Sequence, residues 1–160
     1  MGRGPIALIA AVLMAAMLVV GCGGGDDSSS SDSSISKEEF IVKADAICKK
    51  SNKQMEAEIF KYLRQNRVKG SLQKPSVEDN EKFIEAVLIP NLEREIKELK
   101  ALGVPAGDEE KVDAMISALE EGLETAKNEP ETVAAGSSDI IFGIASRLAG
   151  EYGLETCGSR

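Results

Sequence analysis

Four segments of this chain carry apolar side chains at intervals of three and four residues, and this spacing constrains the fold more than any other feature. Such a period places the apolar positions on one face of an α-helix. In chain order the four stripes are Phe40, Ala44, Ile47, Cys48, Ser51, Met55, Ile59 and Tyr62; Phe83, Ile84, Val87, Leu88, Leu92, Ile96, Leu99 and Leu102; Val112, Met115, Ile116, Leu119, Leu123 and Ala126; and Ile141, Phe142, Ala145, Leu148, Ala149 and Tyr152. No segment has the alternating pattern of a strand. The sequence therefore predicts an all-α fold.

Residues that cap helix N-termini stand ahead of the first three stripes. Ser36 and Glu39 form a capping box, in which the Ser36 hydroxyl accepts from the amide of residue 39 and the Glu39 carboxylate reaches back to the amide of residue 36. Ser76 is expected to cap the second helix and Asp108 the third.

Breaking residues mark the later helix ends. The third helix is expected to close at Asn128, ahead of Pro130, and the fourth to run from about Ser138 to Tyr152. Gly153 can take a left-handed conformation past that end, which lets Leu154 fold back onto the last turn.

Pro90 lies inside the second stripe. It removes one backbone donor and its ring clashes with the carbonyl of Ala86. We expect a kink within a continuing helix, and a break into two helices is the alternative.

Four amphipathic helices with connections of roughly 4 to 12 residues favour an antiparallel bundle over residues 36–160. Two connections are expected at Lys69–Pro75 and Gly103–Gly107. Aromatic residues make up only 4% of the chain and Trp is absent, so the core must be aliphatic. A chain of 160 residues has room for one such domain.

The first 21 residues have the layout of a signal peptide. A basic residue, Arg3, precedes an apolar stretch from Ile6 to Val20, and a small residue, Gly21, stands before a cysteine. An uncleaved N-terminal helix is the alternative. We expect a signal peptide over residues 1–21.

The segment Val19-Val20-Gly21-Cys22 resembles the lipobox of bacterial lipoproteins. The resemblance implies that the leader is cut before Cys22 and that Cys22 is acylated with at least two chains, such as palmitate. One chain gives marginal attachment at ~0.8 kcal/mol per buried methylene, whereas two or three give a stable anchor. We therefore expect an extracytoplasmic protein that is held at the outer face of the cell membrane through lipid on Cys22.

A tether is expected over residues 22–35, because Gly23–Ser34 contains only Gly, Asp and Ser and cannot bury apolar surface. The acidic residues within it, Asp26, Asp27 and Asp32, lack the spacing and the final Glu of an EF-hand loop, so calcium is not expected there.

With Cys22 assigned to lipid, Cys48 and Cys157 remain as an even pair in an oxidising compartment. We expect a structural disulfide between them, with a redox switch as the alternative. It would close a loop of about 110 residues, for which chain entropy gives an upper figure of ~4.7 kcal/mol.

Several of these features occur together in one family. The lipobox, the tether, the helix that contains Lys43-Ala44-Asp45-Ala46-Ile47-Cys48 and the ending Tyr152-Gly153-Leu154 with Cys157-Gly158 resemble a group of uncharacterised small helical exported lipoproteins of actinobacteria. Pro90 and the turn Val104–Asp108 fit the same pattern. The resemblance implies the location and a helical domain with two cysteines, adds weight to the disulfide, and supplies no catalytic residue.

Catalytic and metal-binding patterns are missing from the sequence. The chain contains no His, which excludes zinc fingers, Cys-His nucleophile pairs and Glu-x-x-His iron sites. Acidic pairs such as Glu38-Glu39, Glu109-Glu110 and Glu120-Glu121 do not share one helical face. We expect no catalytic residue, no cofactor and no metal, and hence no enzyme. Met55 or Met115 could offer a thioether to haem or another apolar ligand, although Met in such a stripe is usually core filling.

Charge argues against nucleic acid as a partner. The formal charge is −8, and −9 once Arg3 leaves with the leader, and basic residues alternate with acidic ones instead of clustering. Two classes of function remain open. The first is a non-enzymatic envelope component that binds a protein or an envelope polymer. The second, the alternative, is a carrier or sensor of a small apolar ligand within the bundle.

Overall fold

The structure of the protein, a computed structural model, describes residues 35–65 and 76–159, and every regular element in these two ranges is a helix. The elements are α1 (Lys37–Gln65), α2 (Val77–Phe83), the π-helical turn π1 (Ile84–Leu88), α3 (Ile89–Lys100), α4 (Glu109–Asn128), α5 (Pro130–Thr132), the π-helical turn π2 (Val133–Ser137), α6 (Ser138–Tyr152) and α7 (Glu155–Gly158). The predicted all-α fold is confirmed. The predicted signal peptide, Cys22, most of the tether and the loop Lys69–Pro75 lie outside the described residues.

The four long helices α1, α3, α4 and α6 pack as an antiparallel bundle. In chain order each helix contacts the next, and α7 contacts both α6 and α1. Ion pairs give the directions: Lys50–Glu98 and Glu58–Arg94 join α1 to α3, and Lys100–Glu120 and Glu93–Lys127 join α3 to α4. The residue numbers rise along one helix and fall along its neighbour, so the helices run up and down in turn.

The buried side chains are those of the predicted stripes. One large cluster contains Phe40, Ala44, Cys48, Leu92, Ile96, Leu99, Val112, Met115, Ile116, Leu123, Ala149, Tyr152, Leu154 and Cys157, and a smaller one contains Ile84, Ala126 and Val133. The core is aliphatic apart from Phe40 and Tyr152, whose rings meet edge to face at 5.8 Å. No helix in the described part of the chain is long and apolar enough to cross a membrane.

Serine caps begin the first two helices as expected. The Ser36 hydroxyl accepts from the Glu39 amide at 3.1 Å, while the Glu39 carboxylate binds Lys43. The box at Ser76 is complete, because its hydroxyl accepts from the Asp79 amide and the Asp79 carboxylate accepts from the Ser76 amide. Each cap satisfies backbone N–H groups that the first helical turn leaves free.

Ile35 shifts the predicted boundary of the folded domain by one residue. It was assigned to the tether, but it packs against the large core cluster that contains Phe40. An apolar residue just before the cap and another at the fourth helical position form a hydrophobic staple, which sets the direction from which the chain enters the helix.

Asp108 stands at the N-cap position of α4, yet its side chain makes no capping hydrogen bond, contrary to our prediction. Its carboxylate instead accepts from the Tyr152 hydroxyl at 2.9 Å and binds Lys111 at 2.8 Å. These hydrogen bonds lower the pKa of Asp108. Burial and the bond to Asp108 raise the pKa of Tyr152 to about 12. The start of α4 is therefore tied to the end of α6.

Pro90 is accommodated by a π-helical turn and not by a break. Ile89 donates its backbone N–H to the carbonyl of Ile84, five residues earlier, and the backbone on both sides of π1 stays in the right-handed helical region. A π-turn places one extra residue in the helix, a common way to relieve an interrupted hydrogen-bond ladder. The alternative of two separate helices is not what the structure contains.

Two short helical stretches lie outside the four helices that the sequence predicts. Pro130–Ser137 is helical up to Gly136, whose φ of 98° ends the run before α6. Past α6, Gly153 takes the predicted left-handed conformation, and the Leu154 amide donates to the Ala149 carbonyl. The chain then turns into the short helix α7.

Helices α6 and α7 approach closely through two glycines. A Cβ built on Gly158 would lie 2.6 Å from the Gly150 Cα and 2.7 Å from its backbone nitrogen. These are backbone atoms, which cannot turn away as a side chain can. A residue without a side chain is therefore required at position 158.

We expect Gly158→Ala to lower the free energy of unfolding by ~1 to 3 kcal/mol, since it forces α7 away from α6. The matched control is Gly143→Ala within α6, where an added Cβ meets nothing within 4 Å. That change should raise stability by up to ~1 kcal/mol, because alanine favours a helix more than glycine does. Urea unfolding of both variants tests this, and a Gly158→Ala protein as stable as the unsubstituted one would contradict it.

Candidate functional site

A cavity of about 300 Å³ lies between the helices of the bundle, and residues of all four long helices line it. We call it the central cavity. Its apolar wall is formed by Leu88, Leu92, Leu99, Met115, Leu119 and Phe142. Because side chains in protein interiors normally leave few voids larger than a water molecule, a space of this size needs an explanation in the sequence.

The space arises on the side of the bundle where α6 faces α1. Along the described residues, α-carbon contacts between these two helices are sparse, whereas the other three neighbouring pairs pack directly. The residues that α6 contributes to the wall include Gly143, Ala145, Ser146 and Ala149. Their side chains are too short to fill the gap, so the cavity is a direct result of small residues on one helix face.

Two exposed residues of α6, Ser138 and Asp139, also line the cavity. From α1 the half-buried Asn52 and Met55 contribute. Since exposed residues form part of its lining, the cavity reaches the protein surface and a small molecule has a route into it.

Helix α3 contributes two polar side chains to the cavity wall. Asn91 and Glu95, one helical turn apart, are only 2% and 3% exposed. The Ser51 hydroxyl lies 2.6 Å from Asn91 Oδ1, and Asn91 Nδ2 donates to the Ser51 carbonyl at 3.3 Å. These bonds hold the Asn91 amide against α1, beside the Glu95 carboxyl group in the wall.

The Cys48–Cys157 disulfide forms part of the same wall, and its α-carbons are 5.4 Å apart. The predicted pairing is therefore present. Cys48 Sγ lies 3.7 Å from Glu95 Oε1. A disulfide sulfur carries no proton, so this is a contact and not a hydrogen bond that the sulfur donates.

A second link joins α7 to α1 beside the disulfide. The Asp45 carboxylate accepts from the backbone N–H groups of Glu155, Thr156 and Cys157 at 2.9 to 3.2 Å. It therefore satisfies the amides of the first turn of α7 from another helix. Disulfide and carboxylate together close one end of the gap between α1 and α6.

The ionisable side chains that the described residues contribute to the cavity wall are acidic. Among the described residues that line it, the ionisable groups besides the bonded cysteines are the carboxyl groups of Glu95 and Asp139, and none is Lys or Arg. Within residues 35–65 and 76–159, no three Cys, Asp or Glu side chains are grouped so as to hold a metal ion.

The other residues singled out from sequence lie as follows. Met55 and Met115, considered as thioether donors, both line the central cavity. The acidic pairs are separated from it: Glu38, Glu39, Glu109, Glu110 and Glu121 are exposed, and Glu120 binds Lys100 at the surface. Cys22 lies outside the described residues.

Sequence reasoning missed Asn91 and Glu95 because it counted only apolar residues. Both positions continue the three-and-four spacing from Leu88 to Leu99. A polar residue at a core-facing position of an amphipathic helix was the signal that could have found them. Asp45 carried no such signal, since its partners lie 110 to 112 residues away in the chain.

Comparison of the chain with models of protein families, with curated proteins and with solved structures gives no match.

We expect loss of the disulfide to lower the free energy of unfolding by ~2 to 5 kcal/mol, the usual range when a native disulfide is removed from a small domain. The double substitution of Cys48→Ala with Cys157→Ala should keep the helical circular dichroism at low temperature and unfold at lower urea concentration. As a control, a reductant should destabilise the unsubstituted protein but leave the double variant unchanged. Equal stability of the oxidised protein and the double variant would count against the structural role.

Proposed function

We propose that this protein is a membrane-anchored, extracytoplasmic binding protein that holds a small, largely apolar molecule in the central cavity. The observation that carries the proposal is the cavity itself, which is lined mainly by aliphatic side chains and reaches the surface. Sites for small molecules are typically concave, mostly apolar and supplied with a few polar groups that orient the ligand. The central cavity has each of these properties.

The volume of the central cavity favours a ligand site over a packing defect. Apolar cavities of ~150 Å³ bind molecules such as benzene, and typical ligand sites begin near ~300 Å³. The central cavity, at about 300 Å³, meets the second figure. Small, largely apolar molecules are therefore the class that fits.

The proposed location of the protein is inferred from its first 22 residues. The signal-like leader and the lipobox-like Val19–Cys22 support export and attachment through lipid on Cys22. The presence of a disulfide fits an oxidising compartment outside the cytoplasm. A binding protein in that place could capture an apolar molecule at the outer face of the membrane.

We expect N-phenyl-1-naphthylamine, a neutral apolar probe, to bind the mature chain with Cys22→Ser. This substitution removes the lipid, which would itself take up the probe. Gly143→Leu, in the cavity wall, should reduce binding at least tenfold, because the new side chain occupies the space. The matched control is Ala114→Leu on the exposed side of α4, which should bind as before. Fluorescence titration measures both.

A folded protein that does not bind the probe would argue against a ligand site in the cavity. So would an Ala114→Leu control that loses as much probe affinity as Gly143→Leu.

We expect Cys22 to be the acylated first residue of the mature protein. Mass spectrometry of the membrane fraction should find a diacyl or triacyl Cys22 and no residues 1–21. Cys22→Ser should release the protein or leave it as uncleaved precursor. An unmodified Cys22 behind an intact leader would refute the anchor while leaving the cavity proposal standing.

Binding of a protein or envelope polymer is the second candidate, and one surface feature favours it. Ile140 and Ile144 on α6 are 79% and 55% exposed and lie one helical turn apart on the same face. Adjacent exposed aliphatic side chains are a common feature of interaction surfaces.

A further inference from the structure

We propose that the outward side of α1 lies against an anionic phospholipid surface and holds the domain in one orientation on the membrane. This inference rests on the lipid anchor in the proposed function and adds a second contact, made by the folded domain itself. It follows from the exposed apolar and basic side chains of α1 and from the short stretch of chain that separates α1 from Cys22.

The outward side of α1 presents one continuous exposed face. The buried residues of the helix are Phe40, Ala44, Cys48 and Ser51. Six exposed residues recur at intervals of three and four on the opposite side, and we call them the outer face of α1: Val42, Ala46, Lys49, Lys53, Ala57 and Phe60. Because this spacing keeps all six on one side of an α-helix, they can touch a flat surface at the same time.

An apolar side chain lies at each end of the outer face. Val42 is 69% exposed and Phe60 is 66% exposed, about 27 Å apart along the helix. Apolar side chains that share a helix face with lysines are typical of helices that lie in the interface between lipid and water. The apolar groups enter the boundary of the acyl chains while the basic groups stay at the head groups.

Two lysines lie between these ends. Lys49 and Lys53 are one helical turn apart and exposed, and within residues 35–65 and 76–159 neither has an ion-pair partner. The neighbouring Lys50 is neutralised by Glu98. The exposed Glu56 offsets part of the charge, which leaves the centre of the outer face basic.

This basic face stands out in a chain whose formal charge is −8. Helix α1 contains seven basic and five acidic residues, whereas α4 contains two basic and six acidic ones. At physiological ionic strength charges interact over about 8 Å, which is no more than the distance between packed helices. The acidic far side of the bundle is therefore screened from a membrane that touches α1, and an anionic surface attracts the outer face.

The position of α1 in the chain favours a membrane as the occupant. Helix α1 begins at Lys37, and the predicted tether Gly23–Ser34 has an r.m.s. reach of ~20 Å. A chain anchored at Cys22 keeps the outer face at a high local concentration beside lipid, so a weak contact is enough to orient the domain. Asn52, which lines the central cavity, directly precedes Lys53. Docking would bring that lining residue close to the lipid phase, where apolar molecules dissolve.

A second copy of the chain fits the outer face less well. Lys49 and Lys53 lie near the middle of the face. If two α1 helices paired through it, parallel or antiparallel, the lysines of both copies would meet and repel each other.

The test uses a single tryptophan as reporter, because the chain contains none. Phe60→Trp places it on the outer face, and Ile140→Trp places it on α6, where Ile140 is 79% exposed. The mature chain, residues 22–160, is coupled through the Cys22 thiol to a maleimide-bearing phospholipid in vesicles. Since this anchor is supplied chemically, the result does not depend on whether cells acylate Cys22.

We expect the Phe60→Trp chain to emit at shorter wavelength, and to be quenched by brominated acyl chains, on vesicles of equimolar phosphatidylglycerol and phosphatidylcholine. On phosphatidylcholine alone its emission should equal that of the protein in solution. The Ile140→Trp chain should behave as in solution on both vesicles. Added salt should reverse the effect on anionic vesicles, because it screens the lysines from the lipid.

Two double substitutions in the Phe60→Trp chain assign the contact. Lys49→Gln with Lys53→Gln should lower the ratio of docked to undocked chains about 25-fold, since each basic residue near an anionic surface contributes a factor of about five. Lys111→Gln with Lys127→Gln is the matched control on α4, which packs between α3 and α6. It removes the same charge and should leave the ratio unchanged. Circular dichroism verifies that both variants are folded.

Each contrary result overturns the proposal in a different way. A Phe60→Trp chain that stays in water on anionic vesicles, or equal loss of quenching in the two double variants, refutes docking through the outer face. Quenching of the Ile140→Trp chain in place of the Phe60→Trp chain would assign the contact to α6. Binding of soluble polyphosphate without contact of either tryptophan with lipid would make the occupant an anionic polymer. Acylation of Cys22 and probe binding in the central cavity are tested separately, so either can fail while the outer face is confirmed.

Discussion

The bond between Cys48 and Cys157 is the constraint on which the arrangement of the bundle depends. Three of the four sides of the bundle are closed by direct helix packing, but the side between α1 and α6 is bridged by the short helix α7. The disulfide and the Asp45 carboxylate fasten α7 to α1, and the close approach of Gly150 and Gly158 fastens it to α6. Because α7 closes only one end of the gap between α1 and α6, space for the central cavity remains along the rest of that side of the bundle.

The same arrangement explains how an acidic group comes to lie inside an aliphatic core. Glu95 is held at the boundary between packed core and open space, next to the Ser51–Asn91 pair that joins α1 to α3. A buried polar group costs free energy unless it is paired with other polar groups. Glu95 therefore belongs to the polar contacts between α1 and α3 while it also forms part of the cavity wall.

Regular helical periodicity made much of the fold predictable. The limits of α4 and α6, the left-handed Gly153, the return of Leu154 to the core and the pairing of the two cysteines were all expected from sequence. The cavity was not predictable, since a list of apolar residues does not reveal which of them lack a partner across the bundle. The role of Asp108 was missed because a capping residue can satisfy a tertiary partner, here Tyr152, instead of its own helix.

The turn π1 has a consequence for how this chain can change in length. Each residue in an α-helix advances the helix by about 100° around its axis, and a π-turn takes up one residue more than an α-turn would. Deletion of a single residue from Ile84–Leu88 would restore a regular helix only by turning α2 about 100° relative to α3. Ile84 and Val87 would then leave the core, so a chain that keeps this fold must keep the extra residue of the turn.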